Sequence, residues 1–165
     1  MKTTKQLVTA ALLTAILVAG KEAMAFLPNI EPVSLLLMLY TLVFPQLVVP
    51  VLCVYILLEG VLYGFGVWWF GYLYVWFILV GVVWLCRRNT SVILWAVING
   101  FYGLSFGALF ALSYAATGGV AAGFAWWFSG VPFDIMHCIG NVVLTLLLFK
   151  PMFSLLSTVK TKAAL

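Results

Sequence analysis

The residues best suited to chemistry lie in one short stretch near the end of the chain. Asp134, His137 and Asn141 are spaced i, i+3 and i+7, which places them on one face of a helix. At membrane depth such groups are costly unless they face a cavity or a partner. We interpret this face as a binding site. Two alternatives stay open: Asp134 complements the dipole of its own helix, and His137 and Asn141 bridge neighbouring helices.

A candidate nucleophile precedes this face in the sequence. Residues 103–107 match the nucleophile-elbow pattern GxSxG, with Ser105 as the nucleophile and His137 as its base. The elbow requires a strand, a turn and a helix, whereas this match lies within a predicted membrane helix. An intramembrane serine hydrolase of the rhomboid-like type is therefore the alternative function. The sequence carries no phosphate-binding loop, metal-ligand cluster or dinucleotide fingerprint, so we expect no metal and no cofactor.

The elements that position these residues are predicted to be membrane helices. Of 165 residues, 66% are hydrophobic and only 7% are charged, unlike soluble domains. At about 20 residues per span the chain allows an all-α bundle of six helices in one domain, residues 1–165. Proline, glycine and polar residues place the spans at about 7–27, 33–44, 51–63, 70–86, 92–114 and 132–149. Residues 115–131 are interpreted as a long outer loop, and a partly helical form that dips into the interface stays open.

The basic residues agree with a six-span topology in which both termini are cytoplasmic, because cytoplasmic loops of membrane proteins retain lysine and arginine. In this topology only Lys21 lies outside, and seven basic residues lie inside: Lys2, Lys5, Arg87, Arg88, Lys150, Lys160 and Lys162. Charges scattered in this way do not form a nucleic-acid surface. Membrane lipid, and not nucleic acid, is the expected surrounding.

The same topology gathers acidic and aromatic residues with Asp134 at the outer side. Glu22 and Glu59 are assigned to a pocket there, whereas Glu31 is interpreted as a carboxylate in interfacial water. Tryptophans in this region either stack on a planar ligand or anchor the protein at the membrane surface; they are Trp68, Trp69, Trp126 and Trp127. We expect Trp68 and Trp126, and not all four, to contact ligand.

Small residues repeat at four-residue spacing on two of the predicted helices. Ala11, Ala15 and Ala19 form a stripe on the first span, which lets another helix approach closely in lipid. This stripe is either a docking face for another protein or an ordinary packing face within the chain. A comparable stripe, Gly103, Gly107 and Ala111, is expected to pack inside the chain.

Four features together resemble the substrate-binding S components of energy-coupling-factor (ECF) transporters. They are the alanine stripe, the outer loop LPNIEPVS at 27–34, the long loop after span five, and the segment GVPFDIMHCIGN at 130–141. The resemblance implies a multi-pass protein of the bacterial plasma membrane that binds a vitamin or related micronutrient near the outer surface. It also implies partners: a transmembrane coupling protein, driven by two cytoplasmic ATPase subunits.

The resemblance also implies roles for particular residues. Ala11, Ala15 and Ala19 would contact the coupling protein, and Asp134, His137 and Asn141 would lie beside or line the pocket. The chain itself would bind without catalysis. Members that bind nickel or cobalt resemble it least, because residues 1–3 lack the metal-binding histidine of those proteins.

The charge balance of the predicted pocket indicates a ligand class. Carboxylates, an imidazole and an amide are present, but Lys21 is the only fixed cation and no arginine is expected there. Multiply anionic ligands are therefore disfavoured. A planar neutral or cationic heterocycle fits better, such as a pyridoxine-like, pyrimidine or modified-nucleobase compound held by stacking and by Asp134, His137 or Glu59. A cobalamin stays possible, because the loop 115–131 could close over a large ligand.

Overall fold

The computed structural model describes residues 4–163, which form six α-helices and no strand. The helices are α1 (Thr4–Ala23), α2 (Val33–Val43), α3 (Val48–Tyr63), α4 (Val67–Leu85), α5 (Val92–Gly118) and α6 (Val120–Ala163). The all-α prediction is therefore confirmed. By length and apolar composition, α1, α4, α5 and α6 are able to cross a membrane. The predicted roles of residues 1–3, including an inner position for Lys2, lie outside the described residues.

The shortest helix occupies the centre of the bundle. α2 has 11 residues, which at about 1.5 Å per residue is shorter than the ~30 Å hydrocarbon layer. Every residue from Val33 to Thr41 is buried, and α2 contacts α1, α3, α4 and α6. Because protein surrounds it, α2 does not need to span the lipid by itself.

The most extensive helix contact joins α5 to α6, which run antiparallel on either side of Gly119. Gly103 of α5 lies against the α6 backbone: a Cβ added there would be 2.9 Å from the carbonyl carbon of His137 and 3.0 Å from the nitrogen of Cys138. A Cβ at Gly107 would collide with the Asp134 carboxylate. The prediction that the glycine stripe of span five packs inside the chain is confirmed.

The predicted outer loop 115–131 is helical in the structure. α5 continues to Gly118 and α6 begins at Val120, so only Gly119, with φ of 85°, interrupts the helices. Small residues pack tightly here: a Cβ on Gly123 would be 2.8 Å from the carbonyl oxygen of Ala111. The four glycines of this segment led to the prediction of a loop, because glycine disfavours a helix even though alanine favours one. Packing against the other helix supplies the missing stability.

The ends of the first and sixth spans also differ from prediction. α1 ends at Ala23, and the following residues turn through successive hydrogen bonds, Met24 N–H to Lys21 and Leu27 N–H to Met24. Pro132 and Pro151 lie inside α6 and do not mark its ends. Each proline removes one helical hydrogen bond, a loss that membrane helices tolerate when neighbouring groups satisfy the backbone. The predicted basic tail is thus the last part of α6.

Charge separates the two ends of the bundle. One end, here called the acidic end, contains the segment 24–32, the α3–α4 turn, Gly119 and all four acidic residues. The other, here called the basic end, contains the 86–91 loop, the start of α1 and the end of α6. Lys162 lies beside Lys5 there. Of the basic residues that the structure describes, only Lys21 lies at the acidic end.

Replacing Gly103 by alanine should lower the thermal unfolding midpoint of the purified protein. The new methyl group would press on backbone atoms of α6, which cannot move independently, at a cost of about 1–3 kcal/mol. Gly81→Ala is the matched control, since no heavy atom lies within 4 Å of a Cβ there, and its midpoint should stay equal or rise. Equal midpoints for the two variants would show that the α5–α6 contact is not tightly packed.

Candidate ligand-binding site

Two adjoining cavities lie at the acidic end and share Asn29, Tyr72 and Phe106 in their walls. The first, the aromatic cavity, has a volume of about 390 Å³ and lies between α4, α5 and α6. The second, the loop cavity, has a volume of about 360 Å³ and lies under the segment 24–32. Each volume is within the usual range for a small-molecule site.

Rings from three helices form the walls of the aromatic cavity. Trp68 meets Tyr72 edge to face, with ring centroids 5.2 Å apart, and Phe106 stacks on Phe110 at 4.7 Å. Trp126 also lines this cavity and stacks on Tyr114 at 3.8 Å. The structure therefore brings the predicted pair Trp68 and Trp126 to one cavity. Trp69 and Trp127, the other two tryptophans of the predicted group, line neither cavity.

Asp134 is the charged residue of the aromatic cavity. It is 4% exposed, and its Oδ1 accepts a hydrogen bond from the backbone N–H of Gly107 at 2.9 Å. Its Oδ2 has no hydrogen-bond partner among residues 4–163. A side chain at position 107 would collide with this carboxylate. The glycine therefore allows both the close packing of α5 on α6 and the position of Asp134.

His137 and Asn141 share the helix face of Asp134 but have different surroundings. His137 is 2% exposed, lines the loop cavity and meets the ring of Phe106 edge to face at 4.9 Å. Neither of its ring nitrogens has a hydrogen-bond partner within the described chain. Asn141 lines neither cavity: its Oδ1 accepts from Ser34 at 2.7 Å and its Nδ2 donates to the carbonyl of Asn99 at 3.0 Å. Asn141 of α6 therefore links α2 and α5, which corresponds to the alternative that it bridges neighbouring helices.

The predicted acids Glu59 and Glu22 line neither cavity but contact residues that do. Glu59 is fully buried and forms an ion pair with Lys21. Glu22 is exposed and accepts a hydrogen bond from the Tyr63 hydroxyl. The Lys21 ammonium also lies 4.5 Å from the centre of the Tyr63 ring. Both acids therefore orient Lys21 and Tyr63, which line the loop cavity.

Sequence reasoning missed the three residues shared by the two cavities. Tyr72 and Phe106 lie in strongly apolar helices, where nothing in the sequence distinguishes a ring that lines a cavity from a ring of the core. Asn29 has a φ of 55°, and its side chain donates to the carbonyl of Phe133 at 3.3 Å, which ties the segment 24–32 to α6. A signal existed for Asn29, because asparagine between two prolines favours a left-handed turn position.

Glu31 differs from its predicted setting in interfacial water. It is only partly exposed and lines the loop cavity. Burial raises the pKa of its carboxyl from 4.5 to about 7, although the Lys21 ammonium opposes part of this rise. Glu59 and Glu22 add to the rise because a second negative charge nearby is unfavourable. Glu31 can therefore exchange a proton near neutral pH.

The two residues of the hydrolase alternative lie in different places. The Ser105 hydroxyl donates to the carbonyl of Phe101 at 2.9 Å and lines an apolar groove between α4 and α5. His137 lines the loop cavity, and neither that cavity nor the groove at Ser105 has both residues in its wall. A serine and its base must meet within hydrogen-bond distance of one reacting atom. This arrangement does not favour the hydrolase.

The alanine stripe lies on the outside of the bundle. Ala11, Ala15 and Ala19 are all exposed, whereas the buried face of α1 is formed by Leu13, Thr14 and Leu17. The small residues are therefore not used to pack α1 against the rest of the described chain.

Comparison of the chain with protein-family models, with curated proteins and with solved structures gave no match in any of the three.

The pKa of Glu31 predicts how stability depends on pH. Since the folded-state pKa lies above the unfolded one, the neutral carboxyl stabilises the fold fully below about pH 4.5. That contribution, of the order of 1–3 kcal/mol, is lost as the pH rises through about 7. Glu31→Gln has the shape of the neutral acid and cannot ionise. The wild-type melting temperature should therefore fall relative to Glu31→Gln between about pH 5 and pH 8. Parallel curves for the two proteins would contradict the assignment.

Proposed function

We propose that this chain is the substrate-binding S component of an ECF-type importer in the bacterial plasma membrane. It captures a vitamin or related micronutrient at the outer face and passes it to an ATPase-driven coupling module. The observation that carries the proposal is the pair of adjoining cavities at one end of a membrane bundle. Their walls contain two buried polar residues with unpaired atoms: Oδ2 of Asp134 and both ring nitrogens of His137 have no hydrogen-bond partner among residues 4–163. Such groups in a membrane helix belong to a binding site by default.

The charge distribution supports an orientation. The basic end, with six described lysines and arginines, faces the cytoplasm under the positive-inside rule, and both cavities then open to the outside. In this orientation both termini are cytoplasmic. α2 and α3, short but strongly apolar, complete a six-span bundle with the four longer helices.

Energy for transport must come from other subunits, because the chain has no phosphate-binding loop. The exposed stripe of Ala11, Ala15 and Ala19 supports docking on a transmembrane coupling protein, which two cytoplasmic ATPases would drive. Helices associate in lipid through small residues that allow their backbones to approach. A stripe that the chain does not use for its own packing is suited to such a partner.

The proposal is tested first by the molecule that the protein retains. We expect the protein, purified from its native membrane, to carry one small molecule that mass spectrometry identifies after denaturation as a micronutrient. We also expect a fluorophosphonate probe to leave Ser105 unlabelled, because Ser105 and His137 do not share a cavity. Labelling that disappears in Ser105→Ala would replace the transport proposal with the hydrolase.

Replacing Ala15 by tryptophan should abolish uptake in cells that contain the coupling module, while ligand binding by the purified variant is unchanged. A bulky side chain on the stripe keeps the partner helix at a distance. Ala121→Trp is the matched control, since Ala121 is also exposed but lies at the start of α6, a helix with few contacts to α1. Wild-type uptake by Ala15→Trp would show that the stripe is not the docking face.

A further inference from the structure

One oxygen of Asp134 has no hydrogen-bond partner in the described part of the chain. Oδ1 is held by the Gly107 N–H, whereas Oδ2 has no partner among the described residues and the side chain is almost fully buried in the wall of the aromatic cavity. A buried carboxylate without a compensating charge or donor is costly. A ligand that places a positive charge beside this carboxylate would remove that cost, and its binding would be favoured accordingly.

The rings around Asp134 suit the same kind of group. Trp68, Phe106, Phe110 and Trp126 line the cavity with it. Aromatic faces attract cations, and the attraction is strongest where water is excluded. The same rings stack favourably on a flat ligand, so a charged ring gains from both interactions.

No basic residue opposes a cation in this cavity. Among the described residues that line it, Asp134 is the only one with a formal charge, and no lysine, arginine or histidine contributes. The nearest fixed cation, Lys21, lines the loop cavity and is already paired with Glu59. An anionic group placed against Asp134 would meet a like charge with no counter-ion.

We propose that the ligand is an organic cation with its positive nitrogen in or beside a flat ring, and that this nitrogen lies against Oδ2 of Asp134 among the rings of the aromatic cavity. This inference rests on the proposed function, because it names the class of compound that the binding component captures. His137, three residues further along the same face, lines the adjoining loop cavity, where the remainder of the ligand has room.

The test uses two probes of equal shape and different charge. 1-Methylnicotinamide is a flat cation, and 3-methylbenzamide is its uncharged counterpart with carbon in place of the ring nitrogen. Isothermal titration calorimetry on the full-length protein in detergent should show at least about 10-fold tighter binding of the cation, as expected for attraction of the positive ring to the Asp134 carboxylate and to the aromatic faces. Equal affinities, a preference for the neutral probe, or no binding of the cation would each overturn the inference.

Two variants locate the preference. Asp134→Asn keeps an oxygen for the Gly107 N–H and should reduce cation affinity by at least about 30-fold while leaving the neutral probe almost unaffected. Trp68→Leu should reduce cation affinity by up to about 30-fold. Trp127→Leu is its matched control, because Trp127 lines neither cavity, and should bind as the wild type does. If Asp134→Asn does not fold, the probe pair and the tryptophan variants still decide the matter.

The outcomes separate this inference from the proposed function. A retained micronutrient that is neutral or anionic, imported with the coupling module, would refute the cation and leave the transport proposal standing. Cation binding that depends on Asp134, in a protein that supports no uptake with any coupling module, would refute transport and leave the cation site standing.

Discussion

The close approach of α5 and α6 is the contact on which the rest of the structure depends. Glycine at 103 and 107 removes the side chains that would hold the two backbones apart. Lipid offers no hydrophobic force to drive helices together, so association relies on van der Waals contact and hydrogen bonds between surfaces of matching shape. The same approach brings the Gly107 N–H to the Asp134 carboxylate, which couples helix packing directly to the site.

Polar groups along α6 divide into those that join neighbouring helices and those that line the candidate site. Towards the basic end, Asn141 joins α2 to α5, and Thr145 accepts a hydrogen bond from the Asn99 amide at 2.9 Å. Unsatisfied polar groups in hydrocarbon are costly, so these contacts hold the central helix in position. Towards the acidic end, Asp134 and His137 line cavities, and each has polar atoms without a hydrogen-bond partner among the described residues. One helix face therefore supplies both the scaffold and the site.

The segment 24–32 covers the site through a small number of polar contacts. Asn29 hydrogen-bonds to the α6 backbone, and the ion pair between Lys21 and Glu59 joins α1 to α3 at the rim of the loop cavity. A buried carboxylate such as Glu59 needs a partner cation nearby. Lys21 is therefore paired with Glu59, and Asp134 is the one residue with a formal charge among the described residues that line the aromatic cavity.

The sequence by itself determined the class of fold and the face that carries the site. Apolar composition and the 3.6-residue period are local properties. The all-helical fold, helices apolar enough to cross a membrane, the starts of α2 and α5, and the alignment of Asp134 with His137 could therefore be derived without coordinates. Contacts between helices are not local, and the tertiary structure alone decided them. It made residues 115–131 helical, assigned Asn141 to the scaffold, separated Ser105 from His137, and left the alanine stripe exposed. Small residues in particular allow another helix to approach closely, but they do not identify that helix, because a residue with little or no side chain makes few specific contacts.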